Sequence, residues 1–273
     1  MTSSEWLKIN TKKLDSAGIG TARLDALVLL SDELQIDKSS IFAYPERILQ
    51  RSELNNLNNK VIHRLHHIPL AYIRGTAEFY GRNFLVNTSV LIPRPESESI
   101  IELLKQTSLD TDTATILDVG TGSGCLAITA KCELPLFKVI AIDVDRDCLE
   151  IANKNAQKLN VEITFIQSNL LEKLPPDDLK NSVILANLPY VPINYSVNEA
   201  ATHEPKIALF SGEDGLDHFR ALFEQINARV HTPRIVITES LLSQHDELCT
   251  IAQNAGFVLR ATDGLCQLFV IHT

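Results

Sequence analysis

Two short stretches of this chain hold residues that could do chemistry. In "ILANLPYVP", 184–192, an apolar run ends on Asn187 and passes into Leu188, Pro189 and Tyr190. In "TILDVGTGSGCLAI", 115–128, an apolar run enters Gly120, Thr121, Gly122, Ser123 and Gly124 before a second apolar run begins. Glycines at alternate positions let the backbone approach a bound molecule with no Cβ in the way. The spacing is GxGxG, not the GxGxxG of dinucleotide sites, and no GK[ST] follows as a phosphate loop requires. Asp143 stands at the end of the next apolar run, in "VIAIDVD", 19 residues after Gly124. A carboxylate at that place accepts hydrogen bonds from both hydroxyls of a ribose. S-adenosylmethionine has a ribose and an adenine but no pyrophosphate, and it meets these requirements.

Asn suits turns, so Asn187 taken by itself reads first as a turn residue. Its place at the end of a strand makes it more interesting, because open α/β sheets bind ligands outside the carboxyl ends of their strands. Methyl transfer to an amide or an exocyclic amine needs both hydrogens of the acceptor nitrogen held, so that its lone pair points at the methyl carbon. Two fixed acceptors do this: the Asn187 side-chain oxygen and the main-chain carbonyl of Leu188. Pro189 restricts Leu188 to extended geometry and so aims that carbonyl. Tyr190 can lie against the planar group, and orientation alone lowers the barrier by several kcal/mol. No dedicated base is required.

The elements that must position these residues follow from periodicity. Up to about residue 75 the pattern is helical, with apolar residues at three- and four-residue spacing in "ARLDALVLLSDEL" and "LNNLNNKVIHRL" and a short connector, "IFAYPERIL", between. "AEFYGRNFLVNTSVLIP", 77–93, alternates apolar and polar residues around Gly81 and reads as a hairpin. Strands are then predicted at 115–119, 138–142, 162–166, 182–186 and 234–238, with helices from about 123, 146, 214 and 242. That alternation predicts a parallel sheet covered on both faces. "GFVLRAT" and "CQLFVIH" around "DGL" predict an antiparallel hairpin at the sheet edge. The expected organisation is a helical domain over 1–75, a β-hairpin linker over 76–93 and a catalytic domain over 94–273.

Composition narrows the classes. A net charge of −9 disfavours stable attachment to nucleic acid, which draws on clustered Lys and Arg. Residues 1–80 hold 10 Lys plus Arg against 9 Asp plus Glu, which leaves 15 against 25 in residues 81–273. The five cysteines form no CxxC pair and have no His in metal spacing, so neither a disulfide framework nor a metal site is expected. "MTSSEWLKIN" has no apolar core of a signal peptide and no run spans a bilayer, so a cytoplasmic protein is expected.

"NLPY" resembles the NPPY motif of amino-methyltransferases. The order of "ARLDALVLL", "PLAYIRGTAEFYGRNFLVNTSVLIPRPESE", "ILDVGTGSGCLAI", "AIDVD", "NLPYVP" and "HEPKIALFSGEDGLDHFR" resembles that of the release factor glutamine methyltransferases over nearly the whole chain. The resemblance implies an α/β fold: a seven-stranded, mostly parallel, Rossmann-like methyltransferase sheet with a small N-terminal helical domain and a β-hairpin linker. It implies transfer of a methyl group from S-adenosyl-L-methionine to the side-chain amide of the Gln in the Gly-Gly-Gln loop of class I peptide chain release factors. It assigns Asp118, Gly120 to Gly124, Asp143, Asn169, Leu170 and Asn187 to the cofactor and Asn187 to Tyr190 to the substrate Gln. Asp118 either binds through water or orders the loop. Arg94 and Glu96 either shape the site or form a salt-bridged helix start, and Glu204 and Pro205 would brace the acceptor loop in either a structural or a catalytic role. The helical domain would dock the release factor, with His63, His66 and His67 either contacts or a solvated helix end; a monomer is expected. The chain departs from the family pattern at Leu188, where Pro is usual, at Asn169, where Asp is usual, and at Ser240, where Gly is usual; the terminal hairpin lacks an expected Arg. Two other readings are a methyltransferase acting on the exocyclic amine of adenine in DNA or RNA, which would flip its base and grip phosphates, and a non-catalytic S-adenosylmethionine-binding protein.

Overall fold

The structure, a computed structural model, describes residues 1–107 and 114–272. The chain forms two compact units. The first comprises Met1–Gly75 together with Asn198–His203. Its helices are α1 (Ser3–Ser16), α2 (Ala22–Leu34), α3 (Lys38–Ala43), α4 (Arg51–Leu65) and α5 (Leu70–Arg74). α3 takes up part of the stretch expected as a connector. The apolar positions at helical spacing converge on one core, with Trp6, Leu14, Leu29, Leu30 and Leu57 fully buried. Within that unit Arg64 Nε donates to Asp25 Oδ2 at 2.7 Å, and both residues are buried. Of the three histidines singled out in the sequence, His66, through its carbonyl, lies 3.0 Å from His203 Nε2, His67 Nε2 lies 3.4 Å from Glu199 Oε2, and His63 is exposed.

The second unit comprises Thr76–Val197 and Glu204–Thr273. It opens with the hairpin β1 (Thr76–Phe79) and β2 (Arg82–Leu85), joined at Tyr80 and Gly81, both at positive φ as a tight two-residue hairpin turn requires. Phe79 and Phe84 from this hairpin are fully buried in the core beneath the sheet. The remaining elements are α6 (Glu98–Lys105), β3 (Thr115–Val119), α7 (Cys125–Glu133), β4 (Lys138–Asp143), α8 (Arg146–Lys158), β5 (Thr164–Gln167), α9 (Pro176–Leu179), β6 (Ser182–Ala186), α10 (Asp217–Asn227), β7 (Ile235–Glu239), α11 (His245–Asn254), β8 (Phe257–Asp263) and β9 (Cys266–Ile271). Among the described residues the sheet has seven strands in the order β5-β4-β3-β6-β7-β9-β8. The first five are parallel to one another, and β9 runs antiparallel to both β7 and β8.

Alternate residues of each central strand face opposite cores. Ile116, Val139, Ala141, Val183 and Leu185 pack on one side; Leu117, Val119, Ile140, Ile142, Ile184 and Ala186 pack on the other. This is why these strands read as continuous apolar runs. β3 leads to β4 on one side, while β6 lies on its other side, so the strand order reverses beside β3. The crevice at that reversal, at the carboxyl ends of the strands, is where doubly wound sheets bind ligands.

Candidate active site

The glycine loop follows β3. Gly120 N and Thr121 N both donate to Ile142 O, at 2.8 and 2.9 Å, which ties the loop to the end of β4. Gly120, Gly122 and Gly124 all have φ between +53° and +79°, a region L side chains rarely adopt. At Gly122 a Cβ would meet nothing within 4 Å, so this backbone borders open space. At Gly124 a Cβ would come 3.0 Å from Ala152 Cβ, so its role is close packing of the loop against α8.

Asp118, on β3, is fully buried and points away from that open space. Its Oδ2 accepts from Thr121 Oγ1 at 2.6 Å and from Ala127 N at 3.0 Å, so it orders the loop and the start of α7. Burial pushes its carboxyl up to about 6. Asp143 closes β4 and accepts from Gly122 N at 2.8 Å and from Asp145 N at 3.0 Å. Burial raises its pKa, and these two backbone donors oppose the rise.

A cavity of about 220 Å³ opens here. Of the residues singled out in the sequence, Gly120, Gly122, Asp143, Asn169, Leu170, Asn187, Leu188 and Pro189 line it. Asp118, Thr121, Ser123, Gly124 and Tyr190 do not. Asn169 Nδ2 donates to Glu172 Oε1 at 2.8 Å. The Leu188 side chain is buried against the loop, and a Cβ on Gly120 would lie 3.1 Å from its Cδ2. No Lys or Arg lines the cavity among the described residues. That lining fits a neutral nucleoside joined to a cationic sulfonium, and it offers nothing to a pyrophosphate.

Asn187, just past β6, holds its amide by the nitrogen. Nδ2 donates to Ser97 Oγ at 2.8 Å and to Glu239 Oε2 at 3.2 Å. The Asn187 side-chain oxygen and the Leu188 carbonyl receive no hydrogen bond from the described residues. Tyr190 is turned inward, with its hydroxyl donating to Glu239 Oε1 at 2.9 Å and its carbonyl accepting from Gln244 Nε2 at 2.8 Å. Burial, and then the Glu239 charge, push the Tyr190 phenol above its ordinary range. The segment 204–211 runs beside the acceptor loop: Val191 N donates to Leu209 O and Ser211 N donates to Val191 O, each at 2.9 Å. Glu204, buried, accepts from Ile92 N at 3.1 Å and pairs with Arg94, while Glu96 stays exposed.

Sequence reasoning missed several residues. His218 lines the cavity, and its Nδ1 lies 2.6 Å from Ser211 Oγ; burial lowers its pKa, which favours the neutral ring. Cys148 and Ser89 also line the cavity, with Cys148 Sγ donating to Ser89 O at 3.2 Å. Ser97 and Glu239 meet Asn187 from 90 and 52 residues away. The signal for Glu239 was available: an acidic residue ending an apolar strand, the same signal that singled out Asp143.

Among the described residues no helix is long and apolar enough to cross a membrane. Residues 5–75 match the family described as PrmC N-terminal domain, and residues 97–209 match that of ribosomal protein L11 methyltransferase. A methyltransferase from Pyrococcus furiosus shares the fold, with a TM-score of 0.51 at 16% identity over 82% of this chain and 100% of that one. The bifunctional methyltransferase of Rickettsia bellii is 32% identical over 93% of this chain, which spans 51% of that protein. The release factor glutamine methyltransferase of Koribacter versatilis is 38% identical over 229 residues, 83% of this chain and 81% of the relative. Identity at this level over most of both lengths gives the conclusion that this chain belongs to the release factor glutamine methyltransferase family.

Proposed function

We infer that this chain is an S-adenosylmethionine-dependent methyltransferase acting on the side-chain amide nitrogen of the Gln in the Gly-Gly-Gln motif of class I peptide chain release factors, and so modulates translation termination. The observation that carries the reading is the pair of unused acceptors, Asn187 Oδ1 and Leu188 O, at the lip of a cavity that also holds the Asp143 carboxylate. A carboxamide NH₂ has two hydrogens, and two acceptors just past β6, one on the anchored Asn187 side chain and one on the Leu188 backbone, match them. Pro189 removes freedom from the Leu188 carbonyl, so the usual first Pro of the motif is not needed for the acceptor itself.

The cofactor, when bound, supplies an electrophilic methyl on a sulfonium. The chain's own part is orientation and exclusion of water. Asp143 would hold the ribose through its carboxylate, and the Gly120–Gly122 backbone, free of side chains, would border the rest of the molecule. Asn187 and Leu188 would hold the two amide hydrogens and so orient the nitrogen lone pair for transfer. Transfer would form the N–C bond as the S–C bond breaks, with the neutral thioether as leaving group and one amide proton passing to solvent water. Placement of this kind lowers a barrier by several kcal/mol, on the order of what a positioned bimolecular reaction gains.

The test is mass spectrometry of a release factor incubated with the protein and S-adenosylmethionine. The expected result is a gain of one methylene on the Gln of Gly-Gly-Gln, lost in Asn187→Ala while cofactor affinity stays within about threefold. Methyl transfer to DNA or RNA instead would replace the reading with the adenine one. Cofactor binding with no transfer to any translation factor would leave a binding protein.

A further inference from the structure

We propose that Glu239, at the carboxyl end of β7, is a positioning residue that decides which end of the Asn187 amide faces the cavity. The inference rests on the reading of Asn187 as the acceptor for the substrate amide, and it goes further by naming what holds that acceptor in its working orientation. An Asn side chain has an oxygen on one side and an NH₂ on the other, nearly equal in shape, and only the hydrogen-bond partners choose between them. A neutral partner such as a hydroxyl tolerates either choice. Ser97 Oγ, 2.8 Å from Asn187 Nδ2, is such a partner. A carboxyl group that receives the Tyr190 hydroxyl on one oxygen and Asn187 Nδ2 on the other is an acceptor on both sides, so it admits the NH₂ and rejects the oxygen. Glu239 Oε2, 3.2 Å from Nδ2, therefore sends Oδ1 to the cavity side.

The arrangement around Glu239 suits this role. It is 1% exposed, Tyr190 donates to its other oxygen at 2.9 Å, and the Ser97 hydroxyl is a further hydrogen-bond partner. One buried carboxylate thus gathers donors from three residues in two places: Ser97 ahead of α6, and Asn187 and Tyr190 from the acceptor loop. Burial raises its pKa and the Ser97 and Tyr190 hydrogen bonds oppose that rise. A glutamine in its place has the same shape but can offer an NH₂ to Asn187 Oδ1, which permits the flipped, unproductive amide.

The test uses the full chain with the release factor and S-adenosylmethionine, comparing wild type, Glu239→Gln and Asn187→Ala. Glu239→Gln is expected to lower kcat about a hundredfold, the cost of a misdirected reacting group, with KM for the cofactor within about threefold. The second readout is the Asn187 side-chain NH₂ pair in a ¹H–¹⁵N spectrum, assigned from its disappearance in Asn187→Ala. In wild type the pair is expected to exchange slowly with solvent. In Glu239→Gln it shifts and exchanges faster, which a loss of general stability with the amide still anchored would not produce. Tyr190→Phe, which leaves the carboxylate, is expected to keep the NH₂ signal in place. If Glu239→Gln retains kcat or leaves the Asn187 signal unmoved while Asn187→Ala is inactive, the positioning role is wrong and the acceptor reading stands. If Asn187→Ala itself is active, both fall.

Discussion

At the scale of single residues, two buried aspartates near the glycine loop do different work although both end or lie within apolar strands. Asp143 faces the cavity with Gly122 N and Asp145 N already bound to it. Asp143→Ala is expected to weaken cofactor binding by about 1.5–3 kcal/mol, that is about tenfold to a hundredfold, the range for hydrogen bonds to a charged group; titration calorimetry giving an unchanged dissociation constant would show the ribose is held elsewhere. Asp118 faces the protein interior, where its Oδ1 has no hydrogen-bond partner among the described residues. Its folded carboxyl sits at about 6, above the ordinary 3.8. The folded state therefore binds the proton more tightly than the unfolded chain, and this group favours folding most below its unfolded pKa. That contribution is lost as pH rises through about 6. Burial moves Asp143 and Glu239 the same way. Urea denaturation of wild type is expected to show the Asp118 contribution to stability falling between about pH 4 and 6, and Asp118→Asn is expected to show a shallower fall. An identical slope in the mutant would mean that Asp118 does not titrate there.

At the scale of elements, the strands and helices that hold the site were legible because their signals are local. β3, β6 and the run into α8 carry apolar sequences bounded by turn residues. The differences lie at ends. β5 begins at Thr164, two residues after the expected start, because its pairing with β4 covers only Thr164 to Gln167. The helix expected from about 214 begins at Asp217, because Gly212 and Gly215, at φ +63° and +84°, hold a turn first. A Cβ on Gly215 would overlap the Tyr190 carbonyl, so that turn is pressed against the acceptor loop. The helix expected from about 242 starts as a 3₁₀ turn and becomes α11 at His245. Gly124 is the element-scale test: Gly124→Ala puts a side chain at φ +79° and 3.0 Å from Ala152 Cβ. A loss of roughly 1–3 kcal/mol is expected in chemical denaturation, and an unchanged midpoint would show that the loop and α8 can separate without cost.

At the scale of the whole molecule, the chain is two units with separate cores, and the contrast in charge along the sequence is consistent with two surroundings. The single Trp of the chain, Trp6, is buried in the helical unit and reports its unfolding alone. Removing one partner of the buried Arg64–Asp25 pair leaves an uncompensated charge, so Asp25→Ala is expected to cost that unit about 3–5 kcal/mol. Trp fluorescence in denaturant should show the loss while cofactor affinity, measured below the transition, stays unchanged; a parallel loss of affinity would show one cooperative unit. By itself the sequence determined the alternation of strands and helices, the glycine loop, and the placing of Asp143 and Asn187 at strand ends, because periodicity and turn chemistry act over a few residues. It could not choose between the two roles open to Asp118, since both depend on which face of β3 the side chain takes within the sheet. Only the tertiary structure joined Ser97, Asn187, Tyr190 and Glu239 into one network, because those contacts span 49 to 90 residues. Which atoms meet across such a distance is decided by strand order and packing, and no local pattern encodes either.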